Sequence, residues 1–294
     1  MLRSLAFRSL FIAVMGFGLS THALAADTPL SLEVYNPGHD AIFPVSSVLV
    51  IGKTEAILID AQFGSSQAAK VVEKIRASGK KLSTIYISHG DPDYYFGLET
   101  IKAAYPDAKI LASKPTVAHI QESAAGKLAF WGPKLGADAP KTTVVPEVLK
   151  GNSLSLDGQK LEVIGLDGKQ PERSFVWIPS IKAVVGGVVL ANNLHVWMAD
   201  TQSPQSHTDW LATLKTIEKL KPRTVVPGHY LPGASTALQA PAFTAGYIKA
   251  FDAETAKAKD SAALVAAMKQ RYPKAGEEDS LQLSAKVAKG EMKW

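Results

Sequence analysis

The residues of this sequence with the clearest capacity for chemistry stand at alternate positions in one short polar loop. The apolar stretch 82–87 predicts a strand, and His89, Asp91 and Asp93 follow it directly. In extended backbone, residues i, i+2 and i+4 point the same way, so one imidazole and two carboxylates would converge. Such a group suits a divalent cation, because two close carboxylates repel unless a cation or a shared proton lies between them. The alternative is a polar turn in which the two aspartates bond only to neighbouring backbone amides.

Strands and helices alternate along the sequence, as they do in α/β proteins. The strands are predicted at 30–35, 45–51, 56–59, 82–87, 109–112, 161–164, 174–178, 183–189 and 224–226. The helices are predicted at 65–79, 97–104, 116–125, 207–220 and along most of the sequence after residue 244. One strand in each half runs into a loop that carries a histidine, His89 in the first half and His229 in the second. No linker separates the halves, so we predict a single domain at 26–294 with a helical C-terminal extension.

The loop at 88–94 resembles the signature of the metallo-β-lactamase superfamily, in which the sequence T-H-x-H-x-D-H follows a strand. Here it reads S-H-G-D-P-D-Y, and Gly97 closes the motif. Three further segments are similar to that family in the same order: the opening hairpin at 45–62, a second hairpin at 174–189, and a strand and loop at 225–229. The resemblance spans residues 33–235 and implies a four-layer αβ/βα sandwich, with two mixed sheets face to face and helices outside.

Carried over residue by residue, the resemblance implies an incomplete metal site. His89, Asp93 and His229 match metal ligands of the family. Asp91 stands where a second histidine is expected, and a carboxylate can still ligate. Tyr94 replaces a further histidine and is a poor zinc ligand unless it is deprotonated.

Two more ligands of the family are missing from the second half of the sequence. The mid-chain histidine expected at 165–174 has only Asp167 and Gln170 as polar candidates nearby, and the bridging aspartate falls on Gly187. A normal dinuclear zinc centre is therefore not expected. The remaining set can hold one divalent ion, with zinc as the first expectation and iron or manganese as alternatives, because oxygen-rich ligand sets suit all three.

The implied function is that of an exported metal-dependent hydrolase acting on a small-molecule substrate. A metal-bound hydroxide would attack an ester, lactone or amide carbonyl. Asp93 would be either a ligand or the general base that orients the water. The sequence specifies neither the substrate nor an oligomeric state.

A competing hypothesis is a non-catalytic member of the family, a periplasmic protein that binds a small molecule or a partner in the same groove. The two differ in whether His89, Asp91, Asp93 and His229 converge on one point, at about 2.0–2.2 Å from a zinc ion. An Asp91 that points away, or a Lys or Arg in the metal position, would favour the binding protein.

Tyr94 and His195 are the predicted substrate-binding residues. His195 follows the second hairpin, on the expected rim of the site. The alternative for His195 is a surface histidine or a core histidine with satisfied hydrogen bonds. For the aromatic run that begins at Tyr94, ordinary core packing is an equally good explanation.

The start of the sequence predicts a signal peptide at 1–25. Arg3 and Arg8 precede an apolar stretch at 10–19, and Ala23-Leu24-Ala25 is a small-x-small cleavage site. The apolar stretch is shorter than the roughly 20 residues that span a bilayer. We therefore expect cleavage after Ala25 and a periplasmic or secreted protein that is not membrane-bound. The alternative is an N-terminal anchor helix that stays attached.

Composition narrows the function classes further. Hydrophobic residues make up 46% and charged residues 20% of the 294 residues, the balance of an ordinary globular protein. The leader holds two of the 32 basic and none of the 27 acidic residues, so the mature chain has a net charge of +3. No Lys/Arg block with interleaved aromatics occurs, so nucleic acid is not an expected partner. The sequence has no cysteine, which excludes thiolate ligands and disulfides.

Overall fold

A computed structural model describes residues 28–232 and 237–294 of the chain. The predicted signal peptide at 1–25 lies outside the described residues. Within the described ranges, no helix is long and apolar enough to cross a membrane.

The first half of the chain builds a six-stranded mixed sheet with the strand order β1-β2-β3-β4-β5-β6. Its strands are β1 (Ser31–Tyr35), β2 (Ser47–Ile51), β3 (Glu55–Ile59), β4 (Lys81–Ile87), β5 (Lys109–Ala112) and β6 (Glu147–Val148). The first three strands pair antiparallel, and β3 to β6 pair parallel. The predicted hairpin at 45–59 is confirmed as the β2–β3 pair. The carboxyl end of β4 places the polar loop at one edge of this sheet.

The second half builds the facing sheet. Its strands and those of a small ribbon are, in chain order, β7 (Ser153–Leu156), β8 (Gln159–Ile164), β9 (Phe175–Ile178), β10 (Ala183–Val185), β11 (Ala191–Asn192), β12 (Thr224–Val225) and β13 (His229–Tyr230). Five of them form a sheet in the order β12-β10-β9-β8-β7, and β11 pairs with β13 as a parallel ribbon. This ribbon brings His229 beside the segment that follows β10.

Helices occupy the outer layers. They are α1 (Ser65–Ser78), α2 (Pro92–Tyr95), α3 (Leu98–Ala104), α4 (Lys114–Leu135), α5 (Pro204–Leu220), α6 (Ala240–Lys257), α7 (Ser261–Arg271) and α8 (Glu278–Ala288). Single 3₁₀ turns lie at Gly38–Asp40, Gly136–Asp138, Pro171–Arg173, Pro179–Ile181 and Ala237–Gln239. The first helix ends where the sequence predicts, at Gly79, whose φ of 65° caps the helix in the left-handed conformation.

Three hydrophobic clusters separate the four layers. Alternate residues of β2 and β3, such as Val48 and Ile57, face Leu161 and Val176 of the second sheet in the cluster between the sheets. The residues of the opposite face belong to a second cluster, with α1, α3 and α4. A third cluster joins the second sheet to α5, α6, α7 and α8. The predicted four-layer sandwich is confirmed, and the C-terminal helices share a core with the second sheet.

Two predicted boundaries are wrong for identifiable reasons. The helix predicted at 116–125 continues to Leu135, because Leu128 and Trp131 pack against the cluster that the first sheet shares with α1 and α3. This packing outweighs the roughly 1 kcal/mol that Gly126 costs a helix. The strand predicted at 183–189 ends at Val185, because the next residues, Gly186 and Gly187, turn the backbone with φ of 67° and 81°.

Candidate functional site

Asp60 and Ser88 fix the start of the polar loop. Asp60 directly follows β3 and is fully buried. It accepts a hydrogen bond of 2.8 Å from the Ser88 amide and one of 2.7 Å from the Ser88 hydroxyl. Burial raises the pKa of Asp60 to about 7, although the bonds from Ser88 oppose the rise. The loop that carries His89 therefore begins from a rigid, buried anchor.

The position of the family's bridging aspartate is closed to any side chain. The Gly187 amide donates to the Ser88 hydroxyl at 2.7 Å. A Cβ on Gly187 would lie 2.3 Å from the carbonyl oxygen of Ser174, a distance that real Cβ atoms do not show. The residue also has φ of 81°, which favours glycine. The backbone here is incompatible with a metal-bridging carboxylate.

The extended geometry expected for His89, Asp91 and Asp93 is wrong after Asp91. Pro92 begins α2, because its fixed φ suits the first position of a helix. His89 and Asp91 do point together, as predicted. Asp93, however, lies in the helical turn and its carboxylate faces His229. The two aspartates are therefore directed to different partners.

The first group of polar side chains consists of His89, Asp91, Lys127 and His119. His89 Nε2 lies 3.0 Å from Asp91 Oδ2, and the ammonium of Lys127 donates to Asp91 Oδ1 at 2.5 Å. Lys127 Nζ also lies 3.0 Å from His119 Nε2. Both Lys127 and His119 project from α4, eight residues apart and so on the same face of that helix. A lysine ammonium thus stands beside a predicted metal ligand.

The contacts within this first group shift the pKa values of Asp91 and His119. Burial disfavours the charged form of Asp91, but His89 and Lys127 outweigh burial and hold the pKa of the carboxyl well below its usual range. The other nitrogen of His89, Nδ1, lies 3.0 Å from the carbonyl oxygen of Glu172, which can only accept. Both ring nitrogens of His89 therefore contact oxygen atoms of the protein. Burial and Lys127 lower the pKa of His119, so its Nε2 can accept from Lys127.

The second group consists of Asp93, His229 and Tyr94. His229 Nε2 lies 2.7 Å from Asp93 Oδ2, and His229 Nδ1 lies 3.2 Å from the Tyr94 hydroxyl. Burial, together with nearby aspartates, raises the pKa of Tyr94 well above its usual range, so Tyr94 remains a phenol. A phenol that donates to Nδ1 leaves Nε2 as the donor to Asp93. Both nitrogens of His229 are engaged within the protein.

These two groups do not fit a metal ion. Across residues 28–232 and 237–294, no three His, Asp or Glu side chains form a group that could hold one. The Tyr94 ring packs edge-on against both His89 and His229, with ring centroids 5.4 Å apart in each case. The four ligands predicted from the sequence are present in the same region, but the structure does not bring them to one point.

Both groups face one cavity of about 180 Å³. Asp91, Asp93, Lys127 and His229 form part of its lining. Much of the remaining wall is aromatic and is contributed by Phe43, Trp131, Trp197, Trp210 and Trp294. Such a concave, mainly apolar site with a few polar groups is typical of a small-molecule binding site.

The two predicted substrate-binding residues take different places. His195 is buried and lines the cavity, while its Nδ1 lies 3.0 Å from the Tyr247 hydroxyl. Burial lowers the pKa of His195 to about 4, so this ring is neutral at physiological pH. Tyr94 has no exposed surface and is not part of the cavity lining. Its hydroxyl lies 3.2 Å from Nδ1 of His229, which does line the cavity.

A buried arginine, Arg173, packs against Trp210 of the cavity lining without itself lining the cavity. The Arg173 guanidinium lies 4.1 Å from the centroid of the Trp210 ring, a cation–π contact. Its Nε and Nη2 atoms have no hydrogen-bond partner in the part of the chain that the structure describes. Burial lowers the pKa of Arg173, although Asp200 and Asp91 oppose this shift. Arg173 therefore adds positive charge beneath the Asp91 side of the cavity.

Sequence reasoning missed Lys127 and the aromatic wall. Lys127 lies beyond the predicted end of its helix, so the sequence does not place it on one helical face with His119. The four cavity tryptophans are scattered between residues 131 and 294 and share no motif. The sequence provides the number of tryptophans, but this number does not indicate which of them lie together in the folded protein.

Comparison with known proteins places this architecture in a family. The family model for the metallo-β-lactamase superfamily matches residues 40–229. The chain belongs to the metallo-β-lactamase superfamily. The match ends at His229, so it covers both polar groups of the site, and the C-terminal helices α6, α7 and α8 lie beyond it.

Solved structures of the superfamily share the fold at low sequence identity. A metallo-β-lactamase from Pontibacter korlensis is 18% identical, with a TM-score of 0.54 over 76% of this chain and 95% of that one. A metallo-β-lactamase family protein from Thermus thermophilus is 17% identical, with a TM-score of 0.59 over 90% of this chain and 93% of that one. Identity this low supports the fold alone.

One curated relative is similar over a shorter segment. The uncharacterized protein YobT of Bacillus subtilis (strain 168) is 32% identical over 74 residues. That segment is 25% of this chain and 31% of YobT, so the similarity spans about a third of that protein.

Proposed function

We propose that this protein is a small-molecule-binding member of the metallo-β-lactamase superfamily, without a catalytic metal ion. The observation that carries the proposal is the position of Lys127. Its ammonium lies between Asp91 Oδ1 and His119 Nε2, on an oxygen that a metal would need. A fixed ammonium and a divalent cation cannot share that carboxylate oxygen without strong repulsion.

The bonding of the two predicted histidine ligands supports the same conclusion. A metal ligand needs a free nitrogen lone pair. His89 places its nitrogens against Asp91 and the Glu172 carbonyl, and His229 places its nitrogens against Asp93 and Tyr94. Loading a metal would require breaking at least two of these bonds and expelling Lys127.

Metal analysis tests this proposal. The mature protein, purified without chelators and then dialysed against zinc, manganese or ferrous iron, should hold far less than one ion per chain by mass spectrometry. His229→Ala should give the same low value. One ion per chain in the wild type, lost in His229→Ala, would overturn the proposal.

A metal-dependent hydrolase is the second candidate, and one observation favours it. The Nδ1 atom of His89 faces the Glu172 carbonyl at 3.0 Å, the kind of bond that orients metal-binding histidines in many sites. In this candidate His89, Asp91 and His229 would hold one ion, with Asp93 as a ligand or base. Zinc is the first choice, with iron or manganese as alternatives. The ion would supply Lewis-acid chemistry on an ester, lactone or amide, and Lys127 would have to leave Asp91.

We also propose export to the periplasm or beyond, on the strength of the leader at 1–25. Expression of the full chain in a Gram-negative host, followed by fractionation and N-terminal sequencing, tests this. The protein should be recovered from the periplasm or medium with Ala26 first. Recovery in the membrane fraction with residues 1–25 attached would support the anchor alternative instead.

A further inference from the structure

The cavity concentrates most of the chain's tryptophan. Four of the five tryptophans line it, namely Trp131, Trp197, Trp210 and Trp294. Trp197 and Trp294 pack against each other with ring centroids 5.1 Å apart, and Phe43 joins Trp197 to Trp131 at 5.9 and 5.2 Å. Phe43, Trp131, Trp197 and Trp294 therefore form one connected aromatic surface, and Trp210 adds to the lining without a ring contact to these four among the described residues.

Three of these indoles use their N–H groups within the protein. Trp197 and Trp294 donate to the two carboxylate oxygens of Asp200 at 2.7 and 2.6 Å. Trp210 donates to the Val189 carbonyl at 2.9 Å. What these side chains offer a bound molecule is therefore aromatic carbon, which attracts apolar groups and, through the ring faces, cations.

The lining of the cavity contains more carboxylates than lysine or arginine side chains. Its carboxylates are Asp91, Asp93, Asp200 and Glu277, while Lys127 is the one lysine or arginine that the described residues contribute to it. Lys127 is already paired with Asp91, and Asp93 is paired with His229. Asp200 and Glu277 belong to no ion pair among the described residues. Neither carboxylate has a contact at ion-pair distance within residues 28–232 and 237–294, although Arg173 and Lys127 act electrostatically on Asp200, and His229 acts on Glu277.

Of these two carboxylates, Glu277 is the one whose oxygens accept no hydrogen bond from the described residues, whereas Asp200 accepts from two indoles. Burial raises the pKa of the Glu277 carboxyl to about 7. The backbone of Glu277 has φ of 58°, an uncommon conformation for glutamate, directly before α8. A cation beside this carboxylate would remove the cost of its charged form.

We propose that the cavity binds a small organic cation, an ammonium group that carries apolar substituents. This inference rests on the proposed function, because it names the ligand class of the same cavity. The tryptophans would surround the apolar part and contact the charged head by cation–π interaction, and Glu277 and Asp200 would neutralise it. An anionic ligand would meet two carboxylates and be repelled by them.

Matched probes test the charge preference directly. Choline, its neutral carbon isostere 3,3-dimethyl-1-butanol and the anion 3,3-dimethylbutanoate have similar shapes and differ in charge. Binding to the wild-type protein can be followed by tryptophan fluorescence and calorimetry. Choline should bind about tenfold or more tighter than the alcohol, a ratio that corresponds to one desolvated cation–π contact. The carboxylate should bind more weakly than the alcohol.

A charge-neutral variant tests whether the carboxylate of Glu277 causes the preference for a cationic ligand. Glu277→Gln should weaken choline binding about fivefold while leaving the alcohol unchanged, as expected for loss of one partly exposed charge contact. Glu218→Gln removes the same charge from the exposed face of α5 and is the matched control. Thermal unfolding of each variant verifies that it folds.

The outcomes separate this inference from the proposed function. Equal or tighter binding of the alcohol or the carboxylate would overturn the cation preference and leave the cavity as a binding site. Failure of all three probes would also overturn the preference for this type of cation. Metal analysis of the wild-type protein decides independently whether it is free of a catalytic ion.

Discussion

The ammonium nitrogen of Lys127 lies 2.5 Å from Oδ1 of Asp91, in the loop at 88–94 whose sequence resembles the metal-binding signature of the superfamily. The pair is only partly accessible, with about one fifth of each side chain exposed. His89 contacts the other oxygen of the same carboxylate. Lys127 and His89 thus engage both carboxylate oxygens of Asp91 within the protein itself.

Removal of this ammonium should destabilise the fold. In Lys127→Met, Asp91 keeps His89 but loses its second partner, and His119 loses its donor. The free energy of unfolding should fall by about 1–3 kcal/mol, the range for breaking a partly buried ion pair from one side. Urea unfolding measures this. Lys114→Met, an exposed position at the start of the same helix, is the control and should change stability by less than about 0.5 kcal/mol. Equal stability of Lys127→Met and the wild type would contradict a stabilising Lys127–Asp91 pair.

The sequence predicted the elements with strong local signals. The β2–β3 hairpin, the first helix and the strand before His89 follow from apolar alternation, helical spacing and a terminating glycine. Lys127 could not be predicted, because the helix that carries it is extended by tertiary packing of Trp131 beyond Gly126. The direction of Asp93 depends on a helical turn at Pro92, and the residues between the strand and this proline are all polar or glycine, a composition that fits extended backbone equally well.

The aromatic cavity lay beyond prediction for a different reason. Trp131 belongs to the first half of the sandwich, whereas Trp197, Trp210 and Trp294 come from the second half and the segment after α8. No local pattern links residues so far apart in sequence. The metal ligands implied by the family resemblance remain a prediction. A resemblance gives the order of these residues along the chain, but it does not determine which atoms their side chains contact.

Asp60 should make stability depend on pH. The pKa of this buried carboxyl is raised from 3.8 to about 7 in the folded protein, so folding favours its protonated form. Its contribution is fully present below the unfolded value and is lost as the pH rises to about 7. Asp60→Asn, which cannot ionise, should therefore gain stability relative to the wild type between about pH 4 and 7. Urea unfolding of both proteins across that range measures the difference, and parallel pH profiles would contradict the assignment.

Gly187 should tolerate no side chain. Gly187→Ala must place a Cβ 2.3 Å from the Ser174 carbonyl oxygen at a positive φ, and we expect a loss of about 3 kcal/mol or more from overpacking and backbone strain together. Gly151 has nearly the same φ, 80°, but no atom within 4 Å of the same position. Gly151→Ala is therefore the control for backbone strain alone, at about 1 kcal/mol. Similar losses in the two variants would mean that the backbone at Gly187 has room to shift.

Anomalous diffraction at the zinc edge, from crystals grown with excess zinc, tests the central claim most directly. We predict no anomalous peak beside His89, Asp91 and His229, with Lys127 bonded to Asp91 as it is here. A peak at about 2.0–2.2 Å from a nitrogen of His89 or His229 and an oxygen of Asp91, with Lys127 displaced, would contradict the account and identify the site as a metal centre.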